Sequence, residues 1–96
     1  MSNLVLTRKA GQSVRLLMGH GQEFVDILEV TGGFCKMRIL STLQVERVRF
    51  RGEMQIAEGV TVTVLDLAKG HAKLGFTAPR DVHILRTELI KEKESD

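Results

Sequence analysis

The chain repeats itself. Residues 25–49, slid forward by 37 positions without a gap, fall on residues 62–86. Val25 lands on Val62, Leu28 on Leu65, Gly33 on Gly70, Lys36 on Lys73, Val45 on Val82 and Arg49 on Arg86. Like-for-like pairs lie between them: Ile27 on Val64, Glu29 on Asp66, Val30 on Leu67 and Met37 on Leu74. An echo at fixed period exposes the architectural unit before any local reading does. Here the unit is a strand, a Gly-containing turn, a second strand, a connector and a third strand. Two such units in 96 residues read as a dimer written on one chain, whose halves and sites are free to differ. The expected organisation is one domain over residues 1–96. A first pseudo-repeat occupies about 14–51, with an opening strand at 4–9, a second occupies about 52–89, and 90–96 is a charged tail.

The length supports one domain. A domain this small buries only about 60–65% of its unfolded surface, so two halves sharing one core are favoured over two separate ones. No apolar stretch approaches the ~20 residues of a membrane span, and the first residues lack the apolar centre of a secretory leader. The expectation is a cytoplasmic protein with no membrane partner. Cys35 is the only cysteine, which excludes an internal disulfide, suits a reducing compartment and reads as a small buried strand residue.

The net charge of +2 is spread unevenly: residues 1–51 carry eight basic and four acidic side chains, residues 52–96 six and eight. Arg47, Arg49 and Arg51 alternate within one strand-like run and are expected on one face of it. On charge alone, that face is either simply solvated or turned toward a polyanion.

Strand patterns fill most of the chain. Residues 4–8 and 13–18 read as strands, followed by 23–30, 35–40, 45–51 and a brief 54–56. Residues 60–67 alternate Val and Thr and are the clearest strand; 72–76 and 82–85 follow, with Pro79 in the connector between them. From Thr87 the pattern suggests a short helix and then a charged tail. The fold class expected is mainly all-β, a small sandwich or barrel with a short C-terminal helix.

Catalytic signatures are missing. His20, His71 and His83 are far apart in sequence, and none has a cysteine or second histidine at metal-ligand spacing. There is no P-loop, nucleophile elbow or dinucleotide fingerprint. Asp26 and Glu29 read as the wet side of a strand rather than as an acid–base pair. Neither an enzyme nor a cofactor or metal is expected.

Three segments together resemble the carbon storage regulator family (CsrA/RsmA): residues 4–13 its opening strand, 60–76 its middle hairpin, and 77–89 its closing strand and the start of its helix. They cover about half the chain. The connector Thr77-Ala78-Pro79-Arg80 leading into a strand that ends in Arg86 is the most specific piece. Family members are small homodimers that repress or stabilise messenger RNAs by binding GGA motifs, often in hairpin loops. Each of their two sites sets the opening strand of one subunit beside the closing strand of the other.

The resemblance therefore implies an RNA site made by Leu6, Thr7, Arg8 and Lys9 beside Val82, His83, Ile84, Leu85 and Arg86, with Ala78, Pro79 and Arg80 against the bases. Lys69, Gly70 and His71 occupy the family's turn. The chain has no Trp or Tyr and its four Phe residues read as core, so strand edges rather than stacking platforms would read the bases. A second site would need residues 45–49 as the closing strand of the first copy, with Arg49 in the place of Arg86. The same residues would also have to open the second copy. One strand cannot serve both, so the second site, with Arg47, Arg49 and Arg51, is expected to be degenerate. The partners implied are messenger or small regulatory RNA with GGA motifs and a protein antagonist, with the chain itself a monomeric pseudo-dimer. Two other readings stay open. One is a module without RNA affinity that pairs with CsrA-type proteins or a flagellar assembly factor. The other is further association of chains through open strand edges.

Overall fold

The computed structural model describes residues 2–19 and 21–86. Nine strands account for most of them: β1 (Ser2–Lys9), β2 (Ser13–Met18), β3 (Gly21–Val30), β4 (Cys35–Ile39), β5 (Gln44–Val48), β6 (Glu53–Ala57), β7 (Val60–Ala68), β8 (His71–Ala78) and β9 (His83–Arg86). Among the described residues no helix is long and apolar enough to cross a membrane. The helix expected from Thr87 lies outside the described residues.

The strands form two antiparallel sheets, β1-β8-β7-β6 and β5-β4-β3-β2-β9. Alternation explains how they pack. In β7, Val60, Val62 and Val64 are buried while Thr61 and Thr63 remain half-exposed, and β4 buries Cys35, Met37 and Ile39 in the same rhythm. The inward side chains of both sheets make one core, with Phe76, Leu6, Leu16, Ile27 and Met54 among its largest members.

The 37-residue echo holds residue for residue in the central hairpins. Val25 pairs with Ile39 as Val62 pairs with Phe76, and Glu29 pairs with Lys36 as Asp66 pairs with Lys73. Both hairpins carry a bulge at the same place, at Leu28 and at Leu65. An extra residue there strengthens the local twist that lets such small sheets close on one another.

Beyond residue 40 the echo misleads. β5 does not close the first copy; it pairs with β4, and in the register in which β1 pairs with β8. Glu46 faces Met37 as Leu6 faces Leu74, and Val48 faces Cys35 as Arg8 faces Ala72. The turns that follow agree. The amide of Gly11 donates to the Ile27 carbonyl and that of Arg51 to the Val64 carbonyl; the Gln12 amide bonds Lys9 as the Gly52 amide bonds Arg49. Arg49 is thus the counterpart of Lys9, not of Arg86. The matches of Val45 to Val82 and Arg49 to Arg86 reflect only what short strands have in common.

The alternation expected of Arg47, Arg49 and Arg51 also fails. β5 ends at Val48, and the chain turns through 49–52 with Arg51 at φ 65°. Only Arg47 projects from the strand.

A buried carboxylate fixes this rearrangement. Glu23, 8% exposed, accepts hydrogen bonds from the amides of Phe24 (3.0 Å) and Ser41 (3.1 Å) and from the Ser41 hydroxyl. The Leu43 amide donates back to Ile39 at 2.8 Å. Together these bonds fold residues 40–43 into a tight reversal, so the chain returns along β4. In the second half, residues 79–82 instead carry the chain across to the opposite sheet.

Candidate nucleic-acid interface

One flank of the sandwich carries two edge strands, β1 and β9. Both ends of β1 are tied to β9. Its start, Ser2, pairs with Ala78, from which residues 79–82 lead into β9; its end turns through residues 10–12 into β2, whose Val14 pairs with Arg86. The two strands therefore run in the same direction, one at the edge of each sheet.

The side chains expected to make the site divide sharply. Leu6 and Arg8 point inward, at 1% and 3% exposed, while Thr7 and Lys9 are exposed. The Arg8 guanidinium donates through Nε to the Thr7 carbonyl at 2.8 Å and through Nη1 to the Ser13 carbonyl at 3.4 Å. It thus ties the end of β1 to the start of β2. In the connector Ala78 is buried, Pro79 half-buried and Arg80 exposed; Val82 is buried, His83 exposed, and Ile84 and Leu85 half-buried. Arg86 is placed by its backbone, opposite Val14. A depression of about 580 Å³ lies where this connector meets the β2–β3 and β6–β7 turns, lined by Met18, Gly59, Pro79, Asp81 and Val82 among others.

The equivalent flank on the other side is incomplete. β5 supplies its opening strand. Among the described residues no strand pairs with the outer edge of β6, where β9 covers the corresponding edge of β2. Lys69, Gly70 and His71 sit exposed around the β7–β8 turn, with Gly70 at φ 88°.

Three features escaped the sequence reading. Of the four Phe residues only Phe76 is core: Phe24 and Phe34 are half-buried and Phe50 is 52% exposed. Each of the three lies beneath a guanidinium, with Arg15 6.0 Å from Phe24, Arg47 5.7 Å from Phe34 and Arg51 5.1 Å from Phe50. Asp26 is not merely wet. It accepts from the Ser13 hydroxyl at 2.8 Å and from Arg38 at 2.9 Å, a cross-strand network between β2, β3 and β4. Glu23 had no signal in sequence, because nothing local marks a carboxylate that caps a distant turn. Cys35 is buried as expected, and burial pushes its thiol from 9.0 up to about 11, away from nucleophilic or redox chemistry.

Comparison with known proteins identifies a family. The profile of the CsrA global regulator protein family matches residues 48–95, half of the chain. The translational regulator CsrA of Clostridium novyi is 39% identical over 49 residues, covering 50% of this chain and 68% of its own length. That of Clostridium kluyveri strain ATCC 8527 is 43% identical over 49 residues, covering 50% and 67%. The Campylobacter jejuni CsrA is 39% identical over 41 residues, and the match spans 55% of its length. No solved structure matches the chain significantly.

Proposed function

The chain belongs to the CsrA family of global regulators, a family of regulatory proteins and not of enzymes, and on that premise we propose that it is a cytoplasmic post-transcriptional regulator that binds GGA-containing single-stranded or hairpin-loop RNA. The site is the flank shared by β1 and β9. Exposed Thr7, Lys9, Arg80 and His83 meet the RNA there, and the open edges present backbone donors and acceptors to a splayed-out base. Leu6, Arg8, Ala78 and Val82 hold those edges in place from inside. Arg86 supplies a charge-assisted contact to phosphate or guanine.

The observation that carries this reading is the asymmetry of the two flanks. β9 covers the edge of β2, while among the described residues no strand lies beside the matching edge of β6. We read the chain as a duplicated, covalently joined pair that has kept one working groove. It acts as a monomer, without the roughly 10²–10⁴ avidity gain that two sites on one transcript can give. Titration with a GGA hairpin, with the mass of the complex measured, tests the reading: it requires saturation at one RNA per chain and loss of binding in Arg86→Ala. Equal binding of a scrambled loop would sink it.

The β6 edge, which no described strand covers, favours a second reading. In it the chain is an interaction or decoy module that takes a strand from a CsrA-type protein or a flagellar assembly factor. That reading requires that Arg86→Ala and Lys9→Ala change nothing.

A further inference from the structure

The two sheets are equivalent in register but not in decoration. Where the β1-β8-β7-β6 sheet shows Thr7, Gly75, Thr61, His71 and Gln55, the other sheet has Arg47, Arg38, Phe24, Phe34 and Arg15 at the matching positions. On the outer face of β2 to β5, four cations (Arg15, Lys36, Arg38 and Arg47) stand against Asp26 and Glu29. On the outer face of the opposite sheet, Lys9 and Lys73 are balanced by Glu53 and Asp66.

Fold stability does not account for this. Lys36 and Arg47 are direct cross-strand partners, and like charges placed opposite each other destabilise a sheet. Among the described residues the ion pair on this face is Arg38 with Asp26, and neither Lys36 nor Arg47 has an acidic group within 4.0 Å. Glu29 flanks Lys36, as Asp66 flanks Lys73, but the extra cation beside it is peculiar to this sheet. A cation pair held next to an aromatic ring suits a phosphate between the cations and a base stacked on the guanidinium or ring.

We propose that the outer face of the β5-β4-β3-β2-β9 sheet is a second RNA-contact surface. It holds single-stranded RNA through phosphate contacts with Lys36, Arg38 and Arg47 and through stacking on Phe24 and Phe34. The surface reads no sequence; it takes the strand flanking whatever motif the groove holds. The proposal extends the RNA-binding reading above but rests on different residues.

A 15-nucleotide single-stranded RNA without GGA separates the two. At low salt the wild type binds it, with log K falling by roughly 0.7 per log unit of salt for each phosphate neutralised. Lys36→Glu with Arg47→Glu, both at surface positions, weakens that binding by about tenfold or more and flattens the salt slope by about 1 to 2. Phe34→Ala weakens it without changing the slope. Arg86→Ala loses the GGA hairpin yet still holds the GGA-free strand. Failure of the wild type to bind that strand, or binding by the double variant equal to wild type, overturns the proposal whatever the groove does. Loss of GGA preference in the wild type overturns the groove reading alone.

Discussion

Arg51 stands where Gly11 stands in the other half of the molecule. Each donates its amide to the central strand, Gly11 to Ile27 at 2.8 Å and Arg51 to Val64 at 2.7 Å, and each does so with positive φ, 91° and 65°. Glycine adopts this conformation freely, whereas a side chain there costs roughly 1–2 kcal/mol. The second crossing between the sheets therefore carries strain that the first avoids. Gly11→Ala is expected to destabilise by roughly 1–2 kcal/mol, and Arg51→Gly to be neutral or stabilising by up to about 1 kcal/mol. Gly52→Ala is expected to be worse than either, because its Cβ would lie 2.9 Å from the Arg49 carbonyl. Urea unfolding of the three variants checks this; if Arg51→Gly destabilises as much as Gly11→Ala, the equivalence of the two turns is wrong.

The burial of Leu6 separates fold from contact on the candidate flank. At 1% exposure, Leu6→Ala is expected to lose about 2–5 kcal/mol of stability, so weakened RNA binding in that variant reports on packing. Lys9→Ala and Arg80→Ala, both exposed, are expected to stay within about 0.5 kcal/mol of wild type. They lower RNA affinity and reduce its salt dependence, because each removes a charge available to phosphate. Thermal melts run beside anisotropy titrations give both readouts. Unchanged affinity in both exposed variants would place the RNA elsewhere.

Much of this was legible in the sequence, for identifiable reasons. Alternating Val and Thr announced β7, and the Gly-containing turns announced the central hairpins, because period and turn chemistry are local signals. The 37-residue echo located two equivalent hairpins, and the bulge they share emerges only from the strand register. It failed where identity and geometry part company: Val45 and Arg49 resemble Val82 and Arg86 in type but pair as a first strand does. Partner choice for an edge strand depends on whether the preceding turn reverses or crosses, and that was decided by Glu23, 18 residues before Ser41. Phe24, Phe34 and Phe50 were misread for a related reason. A lone aromatic residue carries no mark of which face it occupies until the register is known.

Cys35 gives a prediction in pH. It is fully buried, and burial raises its thiol from 9.0 to about 11. The folded state thus holds its proton where the unfolded chain releases it. Stability is unaffected by this group below pH 9 and falls as pH rises from about 9 to 11, by on the order of 2–3 kcal/mol. Cys35→Ala starts from a lower stability but lacks that decline. Guanidinium melts of both proteins at pH 8, 9.5 and 11 show the difference, and parallel pH profiles would refute it. The native thiol is likewise expected to react with a thiol reagent at pH 8 only as fast as the protein opens.

Glu23 is the side chain on which the asymmetry of the two flanks turns. Its carboxylate meets two amides and a hydroxyl in part-buried bonds, and removing the acceptor costs up to about 1–3 kcal/mol for each donor left unpaired away from water. Glu23→Ala is expected to destabilise by roughly 2–4 kcal/mol and Glu23→Gln, which keeps one acceptor oxygen, by about 1–2. Location distinguishes this from a generic core defect. The reversal at 40–43 delivers β5 to β4, so hydrogen exchange should accelerate at Ser41 and along β5 in both variants. The β1–β8 ladder should stay protected, because it shares no hydrogen bond with that turn. An RNA site on the β1 and β9 flank then survives in Glu23→Gln with its affinity intact, even as the opposite flank loosens. Equal loss of protection in β1 and β5 would mean that the reversal and the β1 edge do not open independently.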